Sequence, residues 1–211
     1  MYKIVQHGFV EKMYNIIKSL YDDNFKNAFI RVNEHLTDYF ITTQGVKQGD
    51  SLSPTTFLLY VNDMAKDLIA MDVGVQVENR KIPILMYADD IVLISEDEAE
   101  LQTMLDHVHK WCKKWFMSVN MDKTKVVHFR KKAKARSKTV FKYGEQEVKY
   151  TSFYKYLGIY FDEFLDFQCK EEELSKAGNR ALGGVIANLN KINVWVTKHL
   201  PNAMKVVYVQ F

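Results

Sequence analysis

The chain has 211 residues, 47% of them hydrophobic, with a formal net charge of +3, enough apolar material for one domain or a domain with a small appendage, which excludes a disordered tail. Its two cysteines, Cys112 and Cys169, lie far apart and outside any CxxC or Cys/His spacing, which argues against a disulfide framework or a zinc site and suits a reducing compartment. No apolar stretch approaches the roughly 18 residues of a membrane span, and the opening MYKIVQHGFV lacks the zones of a signal peptide, so an intracellular chain is expected.

In chain order, Phe9, Met13, Ile16, Ile17 and Leu20 stand at helical spacing and predict a helix over residues 9–21 with one buried face. The stretch AFIRVNEHLTDYFIT reads as a hairpin turning near Asn33, Glu34 and His35. Ser53 followed by Pro54 predicts an N-cap and the start of a helix over residues 54–71. After a short strand and turn in GVQVENRKIPI come two apolar runs, ILMYA and IVLIS, separated only by Asp89 and Asp90. Each run is β-rich and too short for a helix, so the pair reads as a tight hairpin with the acids at its tip. Ser95 and Glu98 form a capping-box pattern, and Leu101, Met104, Leu105, Val108, Trp111, Cys112 and Trp115 then follow helical spacing. Strand-like pieces are expected at 125–129, 139–143, 146–150 and 154–161, with helical tracts near 169–190 and from about 200. Strands and helices in this order give an α+β fold rather than an alternating one.

Charge is unevenly placed. Residues 123–138 hold Lys123, Lys125, Arg130, Lys131, Lys132, Lys134, Arg136 and Lys138 without one acid. Such a run is often no more than a solvated loop; it is also the composition that neutralises phosphates.

Asp is a favoured turn residue, and an isolated Asp-Asp needs no further explanation. Adjacent carboxylates nevertheless repel unless solvated or neutralised, and a hard divalent ion takes oxygen ligands of this kind. Two such ions a few Å apart clamp an in-line displacement at phosphorus. The loop QGVKQGDSLSP, residues 44–54, runs straight into a helix N-terminus, and its glycines allow close backbone approach to a phosphate-bearing ligand; an ordinary Gly/Ser/Pro connection reads the same way.

At this point the motifs carry a resemblance. GVKQGDSLSPTTFLLYVNDM resembles the loop-helix of reverse transcriptases, YADD their metal-binding tip, WCKKWFMSVNMDKTKVVHF the helix-strand motif that follows, and YKYLGI their primer-grip hairpin. Four motifs stand in the family's order across residues 44–159, and the NxxKT at Asn120, Lys123 and Thr124 with the YLG at Tyr156, Leu157 and Gly158 is most similar to the non-LTR, LINE-like retrotransposon polymerases.

The resemblance implies a right-hand polymerase: a palm with an RRM-like antiparallel sheet, partial fingers before it and the start of a helical thumb. In those terms residues 1–167 form a partial reverse transcriptase domain, with 1–53 the remainder of fingers and palm and 54–167 the palm and primer-grip hairpin. Residues 168–211 are then a partial helical thumb. It further implies Asp89 and Asp90 as ligands of Mg²⁺, with Mn²⁺ as a substitute, and Lys123 as charge stabiliser or proton donor to the leaving pyrophosphate. Gln48, Gly49 and Tyr87 fall at the nucleotide and template, while Tyr156, Leu157 and Gly158 hold the primer end. Arg130, Lys131, Lys132 and Lys134 fall on the side where the duplex enters. RNA template, DNA primer and deoxynucleotide triphosphates are the implied partners, without a membrane, and the nucleus is favoured over the cytoplasm.

Read from their residues alone, Tyr87 is equally a strand aromatic, Tyr156 and Leu157 core, and Trp111 and Trp115 helix-packing residues. Two departures stand out. Ser51 occupies a position where many relatives have proline. Nothing before Gln44 resembles the family's first motif, an aspartate on a strand followed by an Ala-aromatic-Asp signature. The expectation is therefore a fragment beginning inside the palm, lacking the third carboxylate and inactive alone; the other reading is a non-catalytic nucleic-acid-binding remnant.

Overall fold

The computed structural model describes residues 2–21, 27–41, 45–46, 49–165 and 204–210. The chain divides into two compact units, Met1–Asp63 and Met64–Phe211. The elements are α+β, with several small antiparallel sheets.

In the first unit a short helix that the sequence pattern does not announce, α1 (Tyr2–Gln6), is held by a buried cation. Lys3 is 5% exposed, and its Nζ meets Asp63 Oδ1 at 2.7 Å, donates to the Tyr60 carbonyl and lies 4.5 Å from the Tyr60 ring centroid. The helix expected over residues 9–21 is α2 (Glu11–Leu20), but its apolar face is not buried as expected. Only Ile17 is covered, while Met13, Ile16 and Leu20 are exposed. Four two-residue strands follow: β1 (Asn27–Ala28), β2 (Arg31–Val32), β3 (His35–Leu36) and β4 (Phe40–Ile41). β2 and β3 pair around Asn33 and Glu34, and β1 pairs with β4. The helix α3 (Ser53–Ala70) takes Ser53 as its first residue rather than its cap. Asp50 makes the turn before it, its carboxylate accepting from Leu52 N at 3.2 Å and its carbonyl from Ser53 N at 3.2 Å.

In the second unit a hairpin of β5 (Val75–Val77) and β6 (Arg80–Ile82) leads into β7 (Ile84–Tyr87), β8 (Asp90–Ser95), α4 (Glu98–Lys114) and β9 (Lys125–Phe129). The expected strand at 139–143 is β10 (Phe141–Tyr143), hairpinned with β11 (Gln146–Val148). The strand-like stretch at 154–161 is a hairpin of β12 (Phe153–Tyr156) and β13 (Ile159–Asp162), turned back where Leu157 and Gly158 both take positive φ. The helical tract expected near 169–190, and Cys169 with it, lie outside the described residues. The helix expected from about 200 is corrected: residues 204–210 form the strand β14 (Met204–Gln210). The run KVVYV is β-branched and aromatic, which suits a pleated, half-buried ladder better than a helix.

These strands make a four-stranded sheet in the order β7-β8-β14-β9. β14 runs antiparallel to both β8 and β9, so β8 and β9 are parallel, joined through α4. Along β8, Ile91 and Leu93 alternate with Val92 and Ile94. Val92 joins Val127, Phe129 and Tyr208 in a cluster covered by Tyr154, Tyr156, Phe161 and Leu165. α4 packs on β8, β14 and β10 and buries Leu101, Met104, Leu105, Val108, Trp111 and Cys112. With both faces covered, β8 reads as a continuous apolar run, as strands buried on two sides do.

The cap of α4 is Asp97, not Ser95. The Asp97 carboxylate accepts from Ala99 N at 2.8 Å and Glu100 N at 2.9 Å. Ser95 is fully buried at the end of β8, where its hydroxyl donates to Glu100 Oε2 at 2.9 Å and accepts from Asp97 N. Asp is as good a cap as Ser, and here it stands one residue before the helix. Among the described residues no helix is long and apolar enough to cross a membrane.

Candidate active site

The two acids are adjacent in sequence but differ in position. β7 and β8 pair with Tyr87 opposite Asp90, leaving Ala88 and Asp89 as a two-residue turn. Ala88 takes φ 51°, a left-handed conformation that costs an alanine about 1–2 kcal/mol and holds the turn tight. Asp89 is exposed on this turn, whereas Asp90 is half-buried as the first residue of β8. Across its other edge Asp90 pairs with Gln210 of β14. Tyr87 is 63% exposed and lies outside the core.

Lys123 reaches the same end of the sheet by a different route. The Asn120 carboxamide oxygen accepts from the backbone N–H of Asp122 at 3.1 Å and of Lys123 at 3.2 Å, and the Thr124 hydroxyl donates to the Asn120 carbonyl at 2.8 Å. Asn120 thus folds an Asx turn and Thr124, fully buried, locks it, leaving Lys123 exposed between them. This turn feeds β9, which starts at Lys125 opposite Tyr208; β8, parallel to it, starts at Asp90 opposite Gln210. The Lys123 turn and the acidic turn therefore lie at one end of the sheet.

The β12–β13 hairpin comes to the same place from one face. Tyr154 stacks on Tyr208 with ring centroids 4.1 Å apart and planes 16° from parallel, and Tyr156 lies 5.8 Å from Tyr208. Burial, and after it the negative charge of Asp90, holds the Tyr154 and Tyr156 phenols above their ordinary pKa. For Tyr208 the causes are burial and then its two tyrosine neighbours. The hairpin turns through Leu157 at φ 49° and Gly158 at φ 84°, positive at both central residues as a type I′ turn requires. Leu157 is half exposed, not core. Tyr154 opens the YKYLGI motif, whereas no motif names Tyr208, which belongs to this constellation all the same; the β-rich run around it is the available signal.

The basic run divides in two. Arg130 is drawn inward: its side chain is 10% exposed, its NH2 lies 3.1 Å from Glu163 Oε2, and its guanidinium sits 4.6 Å from the Phe164 ring centroid. Arg136 joins it on the same Glu163 oxygen. Arg130, expected with Lys131, Lys132 and Lys134 at nucleic-acid phosphate, is thus an internal ion-pair partner of Glu163. Lys131, Lys132 and Lys134 are exposed.

Gly49, in the first unit, is exposed at φ 84°, with nothing within 4 Å of where a Cβ would stand. Gln48 lies outside the described residues.

Among the described residues no group of three or more His, Cys, Asp or Glu side chains is assembled to hold a metal ion. Asp89 and Asp90 supply hard oxygen ligands of the type Mg²⁺ takes, but two carboxylates make only part of a shell. The residues present therefore fit a divalent ion incompletely.

Comparison with known proteins agrees with the motifs. The reverse transcriptase (RNA-dependent DNA polymerase) family model matches residues 2–177. The chain is 31% identical over 144 residues to the Retrovirus-related Pol polyprotein from type-2 retrotransposable element R2DM of Drosophila melanogaster, covering 65% of this chain and 14% of that protein. It is 24% identical over 165 residues to the RNA-directed DNA polymerase from mobile element jockey of the same organism, covering 75% and 17%. A Popillia japonica Pol polyprotein from type-1 retrotransposable element R2 is 34% identical over 82 residues, covering 38% and 12%. The chain spans less than a fifth of the length of these relatives.

Proposed function

Because the chain belongs to the reverse transcriptase (RNA-dependent DNA polymerase) family, we propose that it is a fragment of a non-LTR retrotransposon polymerase whose full form copies RNA into DNA. In this reading residues 54–167 are the palm, with an RRM-like sheet, and residues 1–53 are what it holds of fingers and palm. One observation carries it: Asp90, the Lys123 turn and the Tyr154–Tyr156 strand, far apart in sequence, meet at one end of one sheet.

Each residue then has a task. Asp89 and Asp90 are the carboxylates that hold Mg²⁺, or Mn²⁺ in its place, and the bound ions would neutralise charge at the phosphorus centre. Lys123, held outward by its Asx turn, faces the leaving pyrophosphate. Tyr87 borders the primer end, and Tyr156, Leu157 and Gly158 grip it. Gln48 and Gly49 lie against nucleotide and template. The partners are an RNA template, a DNA primer and deoxynucleotide triphosphates.

Because the tip holds two acids, the 211-residue chain by itself does not extend a primer. The metal role is tested by NMR: substoichiometric Mn²⁺ broadens signals of residues 87–91, and Asp89→Ala abolishes the effect. Broadening confined to other acidic clusters removes that role. Extension of a primed RNA above background that disappears in Asp89→Ala refutes the inactivity.

A further inference from the structure

Between β9 and β10 the chain runs from Arg130 to Val140 without a helix or strand, and residues 131–135 at its tip are exposed. The loop is tied down at its far end. Ser137 Oγ donates to Glu98 Oε1 at 2.7 Å and Thr139 Oγ1 donates to Glu98 Oε2, so one carboxylate takes both hydroxyls, one on each oxygen. Ser137 is the hub of this clasp. Its hydroxyl oxygen also accepts from Thr139 N at 3.1 Å, and its own N–H donates to Nδ1 of the buried His128 at 3.0 Å. Glu98 stands in the first turn of α4, where the helix dipole favours its charge. The clasp thus joins the basic loop to a helix 39 residues earlier in the chain.

A hydroxyl meets a carboxylate favourably only while it is neutral and keeps its proton to give. A phosphate on Ser137 removes that donor and sets about two negative charges against Glu98. Free N–H groups at a helix N-terminus often receive a phosphate, but at this end of α4 the Asp97 carboxylate already takes Ala99 N and Glu100 N. The adjacent cation, Arg136, is engaged as well, on Glu163. Opening the clasp relieves the repulsion.

The flanking sequence bears on what delivers the phosphate. Ser137 follows Lys131, Lys132, Lys134 and Arg136 and precedes Lys138, with no acid between Lys123 and Gly144. Such a segment complements an acidic peptide groove. We propose that Ser137 is the phosphoacceptor of a serine/threonine kinase that reads basic flanks, and that its phosphorylation opens the Glu98 clasp and frees the loop from α4. Ser137 Oγ forms a bond to the γ-phosphorus of ATP as the bridging P–O bond to the β-phosphate breaks. ADP leaves with that oxygen, and the hydroxyl proton passes to the kinase's base. The added charge also opposes contact between the neighbouring lysines and nucleic-acid phosphate, a consequence that rests on the polymerase reading although the modification site does not.

The full chain is incubated with ATP and protein kinase C, and the product is read by tandem mass spectrometry and hydrogen exchange. Phosphate is found on Ser137, and the Ser137 and Thr139 amides then exchange about tenfold faster or more, while α4 amides keep their protection. A kinase needs its substrate segment released, so Glu98→Ala, in which the clasp is already open, is phosphorylated on Ser137 about tenfold faster than wild type. Phosphate only on other residues, or none on Ser137 in either protein, overturns the modification site. Phosphate on Ser137 with unchanged exchange at Ser137 and Thr139 overturns the opening. If Glu98→Ala does not fold, Ser137→Asp takes its place: it sets a second carboxylate against Glu98 and speeds the same exchange without a kinase, and unchanged exchange refutes the clasp. Absence of nucleic-acid binding by the unmodified chain refutes the lysine contacts instead, and mass and exchange still decide the site.

Discussion

Replacing Lys131, Lys132 and Lys134 together with alanine tests whether the exposed half of the basic run meets nucleic-acid phosphate. Arg130 is excluded from the set because Glu163 holds it in a nearly buried pair. Each phosphate neutralised by a cation adds about −0.9 to the slope of log affinity against log salt on a duplex, so three lysines add about −2.7. From about 50 to about 200 mM salt that difference amounts to roughly 1.6 decades, so the affinity advantage of the wild-type chain over the triple variant shrinks about 40-fold. Fluorescence anisotropy with a labelled RNA–DNA hybrid across this range measures both slopes, and sequence-scrambled hybrids should give the same values, since phosphate contacts carry no base information. Arg130→Ala is the contrasting control: it lowers stability through the lost ion pair and leaves the slope of the folded protein unchanged. Equal slopes for wild type and triple variant, with circular dichroism unaltered, would return residues 131–134 to the status of a solvated loop.

Glu163→Ala leaves the Arg130 guanidinium nearly buried without its carboxylate, which should cost about 3 kcal/mol or more in urea denaturation. Leu157→Asn places a residue that tolerates positive φ where leucine holds 49°, and should raise stability by about 1 kcal/mol, seen as a higher melting temperature. Burial pushes the Cys112 thiol up to about 11, against an opposing hydrogen bond from Tyr143. The unfolded chain then releases this proton near its ordinary value of about 9 while the folded chain keeps it. Stability should therefore be fully present below pH 9 and decline as pH rises towards about 11, and Cys112→Ser should flatten that part of a pH–denaturation series.

What the sequence disclosed were features fixed over short distances. The β7–β8 hairpin was legible because two β-rich runs too short for helices flank a turn, and α4 because six of its apolar positions recur at helical spacing and all are buried. Even there the cap was misassigned, since Ser95 and Asp97 offer the same chemistry two residues apart and only the backbone decides which one meets the free N–H groups. Features that depend on a distant partner were not legible. A charge run gives no sign that Arg130 turns inward to a glutamate 33 residues later while Lys131 stays outside. The spacing of Met13, Ile16 and Leu20 defines an apolar stripe on α2 without stating what covers it, and within its unit these side chains remain exposed. β14 is a mixed case: the β-branched and aromatic run KVVYV favours a strand by composition, but its short apolar period fits a helix too, and its two partners in the sheet decide between them. β8 and β9, placed in parallel by α4, each need an edge partner that neither supplies to the other, and β14 is that partner for both.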